Sequence, residues 1–211
     1  MISLSDIKSI LENRILVLDG PMGTAIQKFH LEESDFKGDR FKDYSINLKG
    51  NNDLLNIVRP DIITKIQESY LIAGADLVQT NTFNSNLISQ SDYKFNKDIV
   101  WELNITGAKI ARALADKYTQ LTPEKPRFVY GLLGPTNKTA SISPDVDNPA
   151  FRNVLFDDLV EDYYFAIDAL VAGGVDLIML ETIFDTLNAK AGIFAHNKYC
   201  KDKGQEIPLM I

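Results

Sequence analysis

The chain has 211 residues, 45% of them hydrophobic and 24% charged, an ordinary globular composition with enough apolar mass for one sizeable core. A formal net charge of −7 and a pI near 4.9 argue against nucleic acid as a partner, because neutralising a phosphate backbone takes clustered Lys and Arg. The opening MISLSDIKSI has no basic n-region or apolar h-region, and no later run approaches membrane-spanning length, so a cytoplasmic protein without membrane contact is expected.

Ser5 followed by Ile7, Ile10 and Leu11 predicts a short helix over Asp6 to Asn13, packed under a first strand. That strand is Ile15 to Leu18, a continuous apolar run of the kind buried on both faces of a parallel sheet, and Asp19 closes it. Gly20, Pro21 and Gly23 then bend the chain, and Thr24 to Phe29 begin a helix. The corner places Asp19 beside the free backbone N–H groups of Met22, Gly23 and Thr24, with none from Pro21. It suits a small zwitterion: the carboxylate can hold an ammonium, and the amides can hold a carboxylate. The other reading of the same residues is a capped turn in which glycine serves only the bend.

From Leu31 to Val58 the chain is polar and reads as a long irregular excursion. Pro60 suits a first helical position, Ile62, Ile63, Ile66 and Tyr70 share a face, and Gly74 ends that helix. A second strand is expected at Asp76 to Thr80. The spacing of Ile99, Leu103, Gly107, Ile110 and Leu114 marks a helix from about Asp98 to Tyr118, with Gly107 permitting close approach and Trp101 packing at the core boundary. Phe128 to Leu133 form the third strand, Thr136 to Pro149 a polar loop, and Asp157 to Ala172 a helix stopped by Gly173 and Gly174. The fourth strand is Asp176 to Leu180, a helix of about Asp185 to Tyr199 follows, and a fifth strand opens at Ile207 and reads as interrupted. Cys200 is the single cysteine and can form no internal disulfide, which fits a reducing compartment.

Strands alternating with helices imply a right-handed parallel α/β array. No Gly-x-Gly-x-x-Gly or Walker glycines follow a strand, which weakens an open nucleotide-binding sheet. A (β/α)8 TIM barrel, truncated after about five strands, is better supported by an internal echo: AGADLVQTNT (Ala73 to Thr82) aligns without a gap on GGVDLIMLET (Gly173 to Thr182). Asp76 then matches Asp176, Asn81 matches Glu181 and Thr82 matches Thr182. Polar groups at strand C-terminal ends are where barrel enzymes build their sites, although the threonines and Asn81 can equally cap turns. Asp19 and Glu181 aimed at one mouth suggest recognition of an amine, or a metal site.

The motifs LDGPMGT (Leu18 to Thr24), DFKGDRF (Asp35 to Phe41), LKGNNDLL (Leu48 to Leu55), AGADLVQTNTFNSN (Ala73 to Asn86), GLLGPTNKTASISPDV (Gly131 to Val146) and ETIFDTLNAKA (Glu181 to Ala191) together carry a resemblance. Through them the chain resembles the homocysteine-binding module of cobalamin-dependent methionine synthases, within the homocysteine S-methyltransferase family. The likeness covers nearly the whole chain and implies a single partial barrel domain over residues 1–211.

The resemblance implies a methyltransferase that moves a methyl group from methylcobalamin to the zinc-activated thiol of L-homocysteine, giving methionine. It places the substrate ammonium on Asp19 and Glu181, the substrate carboxylate on the amides of Gly20, Met22, Gly23 and Thr24, and Asn81 and Thr82 in the pocket wall. Three zinc cysteines are expected beyond Ile211 and match nothing here; Cys200, His30 and His196 have no zinc-ligand spacing. No metal ligand and no catalytic residue is therefore assigned within the chain. Zinc and methylcobalamin are expected of the full-length enzyme, none bound to this fragment, which alone would be inactive. Expected partners are L-homocysteine and the cobalamin-binding and folate-binding modules of the same full-length chain, with self-association through an unpaired strand edge. Pro21 departs from a family position that often carries an N–H, and Gln79 from one that often carries glutamate. The competing reading is a non-catalytic barrel module that binds a small amino acid or docks a cobalamin module.

Overall fold

The computed structural model describes residues 4–211, with side chains from Ile7 onward. Its helices are α1 (Leu4–Leu11), α2 (Met22–Gln27), α3 (Glu33–Lys37), α4 (Leu55–Val58), α5 (Pro60–Ala73), α6 (Leu87–Gln90), α7 (Lys97–Leu121), α8 (Phe156–Ala172) and α9 (Thr186–Lys203). Its strands are β1 (Leu77–Gln79), β2 (Phe128–Leu133), β3 (Leu177–Leu180) and β4 (Leu209–Met210), all parallel and ordered β1-β2-β3-β4. Chain order and spatial order coincide, so the sheet lacks the reversal of strand order that defines a doubly wound fold.

Alternation along each strand builds two apolar layers. Val78, Val129, Leu133, Ile178 and Leu180 face the helices and join the core that α7, α8 and α9 complete. Leu77, Phe128, Tyr130, Leu132 and Leu177 face the other way, where Ile7 and Ile10 of α1 pack against them. Burial on both faces explains why these strands read as unbroken apolar runs. Helix α5 starts on Pro60, whose missing N–H has no intrahelical partner to lose, and ends at Gly74 with φ +107°. Gly107 lets α7 close on the strand ends, since a Cβ there would lie 2.6 Å from Asn56 Nδ2 and 2.9 Å from Thr82 Cγ2. Trp101 sits at the boundary, edge-on to Phe165.

Two expectations are corrected. Ile15 to Leu18 do not form a strand buried on both faces: the segment joins β1 only by the parallel bridge Leu18 to Leu77, and Ile15 and Val17 are 83% and 54% exposed. Val17 O accepts from Asp76 N and Leu77 N, and Asp19 N donates to Leu77 O, so one edge is bonded while the other has no strand beside it among the described residues. The stretch Leu31 to Val58 is not an irregular excursion throughout, because it holds α3, a 3-10 turn (Asn52–Leu54) and α4. Its scattered apolar residues Phe36, Phe41, Leu48, Leu54 and Leu55 are buried in a second core with α5 and α7. They lack a helical period because they come from short pieces that face different neighbours.

The echo between the two Asp-containing segments has a structural basis at the N-terminal ends of β1 and β3. Asp76 N donates to Val17 O at 2.8 Å, and Val17 N donates back to Asp76 Oδ2 at 2.9 Å. Asp176 repeats this with Val129, at 2.8 and 2.9 Å. Each aspartate also pairs with an arginine, Arg14 at 2.9 Å and Arg112 at 2.6 Å. The likeness stops at the other end, where Thr82 is buried and Thr182 is exposed with φ +60°.

Candidate functional site

The C-terminal ends of β1, β2 and β3 open on a cavity of about 520 Å³. All eight residues expected at a site line it: Asp19, Gly20, Met22, Gly23, Thr24, Asn81, Thr82 and Glu181. The parallel pairing runs one residue past Leu18, Asp19 N donating to Leu77 O, which sets Asp19 beside the end of β1, and Gly20 is glycine because a Cβ would come 2.5 Å from Tyr70 Cε1, whose ring closes the corner and donates its hydroxyl hydrogen to Pro21 O. Helix α2 begins at Met22, and its first bonded amide is Ala25 N to Pro21 O, which leaves the N–H groups of Met22, Gly23 and Thr24 without intrahelical acceptors.

Asp19 is held by three donors. Tyr130 Oη donates to Oδ1 at 2.6 Å, Gln79 Nε2 to Oδ1 at 3.2 Å and Gln79 N to Oδ2 at 2.9 Å. Burial pushes its pKa up to about 6 despite these hydrogen bonds, each of which pulls the other way. Glu181 is half-buried at the end of β3, and its carboxylate has no hydrogen-bond or ion-pair partner among the described residues. Asn81 is buried, with Nδ2 donating to Asn52 O at 2.8 Å and Asn56 Oδ1 at 3.1 Å. Thr82 stands in the wall with its hydroxyl committed to Leu132 O at 2.8 Å, so it contributes shape more than a free polar group.

Three participants were given no role at the site from the sequence. Tyr130 reads as an ordinary strand residue, although its place between Phe128 and Leu132 on one face, with a polar tip at the strand end, is a usable signal. Gln79, noted there only for a missing charge, supplies two donors to Asp19 and one to Gly20 O at 2.6 Å. Asp53 is buried in the same wall, accepting from Asn84 N at 2.7 Å and Ser85 Oγ at 2.9 Å, and burial raises its pKa to about 7. The charged residues lining the cavity are thus Asp19, Asp53 and Glu181, and no Lys, Arg or His lines it among the described residues. Such a wall favours a cationic group on the ligand.

The metal reading of this mouth finds no support in its donors. Among the described residues no group of three or more His, Cys, Asp or Glu is placed to hold a metal ion. Cys200 lies on α9, packed against the helix-side core with Sγ 3.7 Å from His196 Nε2, and does not line the cavity. These residues do not fit a zinc site built from three thiolates, so no zinc-dependent step is assigned to them.

The buried carboxyls predict how stability varies with pH. Burial raises the pKa of Asp19 and of Asp162, which accepts from Leu87 N and Ile88 N, to about 6 and that of Asp53 to about 7, against about 3.9 for unfolded aspartate. The folded chain therefore holds these protons more tightly, and the stability they contribute is full below about pH 4 and lost as pH rises through 6 to 7. Calorimetric melting midpoints should fall between pH 5 and pH 8. Asp53→Asn should flatten the upper part of that slope, and an unchanged slope would show that Asp53 titrates normally.

The fold and site define a parallel α/β domain with an acidic, small-molecule cavity at the strand ends. The family model described as homocysteine S-methyltransferase matches residues 16–211, and the chain belongs to that family. Structures of the homocysteine methyltransferase MmuM from Escherichia coli share the fold at 16% sequence identity: the metallated form has a TM-score of 0.70 over 96% of this chain, and the apo form 0.64 over 97%. The chain spans 64% of the length of the metallated form and 63% of the apo form. Among the described residues no helix is long and apolar enough to cross a membrane.

Proposed function

We propose that this chain supplies the amino-acid end of a homocysteine-methylating site in a cobalamin-dependent methionine synthase, within a (β/α)8 barrel. Family membership supports homocysteine as the thiol substrate, and the motif resemblance supports the cobalamin-dependent branch. The observation that carries the assignment is the cavity itself: two carboxylates, Asp19 and Glu181, line one mouth, and no cationic side chain lines it among the described residues. In this reading they take the substrate ammonium, the amides around Gly20, Met22, Gly23 and Thr24 take its carboxylate, and Asn81 and Thr82 shape the wall. The thiol then points out of the amino-acid corner toward the mouth. Methylcobalamin held on another module, and recharged there from methyltetrahydrofolate, would supply the methyl group to that thiol.

The test is direct. Isothermal titration with L-homocysteine should give saturable binding, and 4-mercaptobutanoate, which keeps thiol and carboxylate but lacks the amine, should bind about tenfold more weakly or worse. Equal binding of the two would remove the ammonium from the site and leave a generic thiol or carboxylate pocket.

A further inference from the structure

Asp19 is surrounded by neutral donors and by charge of its own sign. From β2 comes the Tyr130 hydroxyl, and from β1 the Gln79 amide groups. From α5 comes Tyr70, whose hydroxyl is spent on Pro21 O. Glu181 at the end of β3 and Asp53 in the 3-10 turn share the cavity, and no cation lines it among the described residues. A carboxylate has about four lone-pair positions. Three are filled here, so one remains for a ligand N–H, and the other ammonium hydrogens fall to Glu181, whose carboxylate has no partner among the described residues.

We propose that Tyr130 is a positioning residue of this cavity, its hydroxyl holding Asp19 in one rotamer and in the ionised form needed to receive an ammonium group. The inference rests on the amine-recognition reading of the site for its effect on ligand, but its effect on Asp19 stands apart from that reading. The tyrosine is suited to the task because burial and the adjacent Asp19 keep its hydroxyl protonated, so it donates and never competes as an anion. Phenylalanine would fill the same space on the inner face of β2 without the donor. Gln79 alone cannot replace it: of its two side-chain N–H groups one is committed to Gly20 O at 2.6 Å, and the other reaches Asp19 Oδ1 only at 3.2 Å. A glutamate at position 79 would bring a second negative charge to the same carboxylate, so the glutamine and the tyrosine act together to keep Asp19 charged.

The experiment compares the wild-type chain with Tyr130→Phe. The Asp19 carboxyl is followed by 13C NMR titration, and L-homocysteine affinity by calorimetry from pH 5.5 to 9. Loss of one charge-assisted hydrogen bond is expected to raise the Asp19 pKa by about one unit. Affinity is then expected to fall about threefold at pH 6.5 and about eightfold at pH 5.5, and to converge on wild type above pH 8.5, where Asp19 is ionised with or without the tyrosine. An unchanged Asp19 titration overturns the inference, as does an affinity loss that is the same at every pH, because a role in packing alone gives a parallel shift. If the titration moves as expected while homocysteine fails to bind the wild type, the positioning role stands and the amine-recognition reading falls.

Discussion

Glu181→Gln is expected to weaken L-homocysteine binding by about 10- to 100-fold while leaving the melting temperature where it is. A charge-assisted hydrogen bond contributes roughly 1.5–3 kcal/mol, and the glutamine keeps shape and one acceptor but loses the charge. Stability should not move because no protein group depends on this carboxylate: it has no partner among the described residues to be orphaned. Asp19→Asn should cost a similar factor in affinity but behave differently as a fold variant. An asparagine accepts at only one of its two terminal atoms, so either the Tyr130 hydroxyl and Gln79 Nε2 or the Gln79 backbone N–H loses its acceptor. The double variant should lose about 100- to 10,000-fold if the two contributions add, and less if one carboxylate can take over the ammonium from the other. Calorimetric titration of wild type, both single variants and the double variant decides it, and near-wild-type affinity in the double variant would sink the assignment of the ammonium to this pair.

Different parts of this site were legible in the sequence for different reasons. The corner at Asp19 could be read because glycine, proline and a following helix leave few ways to fold a strand end, and the structure brings all of Asp19 to Thr24 to the cavity wall. Helices α5 and α7 could be read because period, Pro60 and Gly74 agree with one another. Tyr130 and Asp53 could not be assigned roles because nothing local marks them: their partners lie 111 and 32 residues away in sequence. The segment around α3 and α4 failed for another reason, since pieces of four or five residues are too short to show a period. Exposure of Ile15 and Val17 is a property of the sheet edge, and an apolar run cannot report what lies beside it.

Asp176→Ala is expected to cost about 3–5 kcal/mol of folding stability, the range for breaking a buried pair on one side. Asp176 is 4% exposed and accepts from Val129 N while pairing with Arg112 Nη1 at 2.6 Å. Removing it strips the Val129 amide of its acceptor and leaves the guanidinium with Asp116, an exposed partner in the next turn of α7 at 2.8 Å, and a long 3.5 Å bond to Arg127 O. Asp176→Asn keeps a backbone acceptor and should cost less, about 1–2 kcal/mol. The affinity of either folded variant for L-homocysteine should stay within about twofold of wild type, because Asp176 and Glu181 lie five residue steps apart along extended chain, roughly 16 Å at the rise of a strand. In parallel α/β sheets ligands bind outside the carboxyl ends of the strands, and Asp176 and Glu181 flank the opposite ends of β3. Urea unfolding paired with calorimetric titration checks both halves. A wild-type unfolding midpoint in Asp176→Ala would show that the Asp–Arg latch is ornamental, and a large loss of affinity in the folded variant would show that the two ends of the strand are coupled.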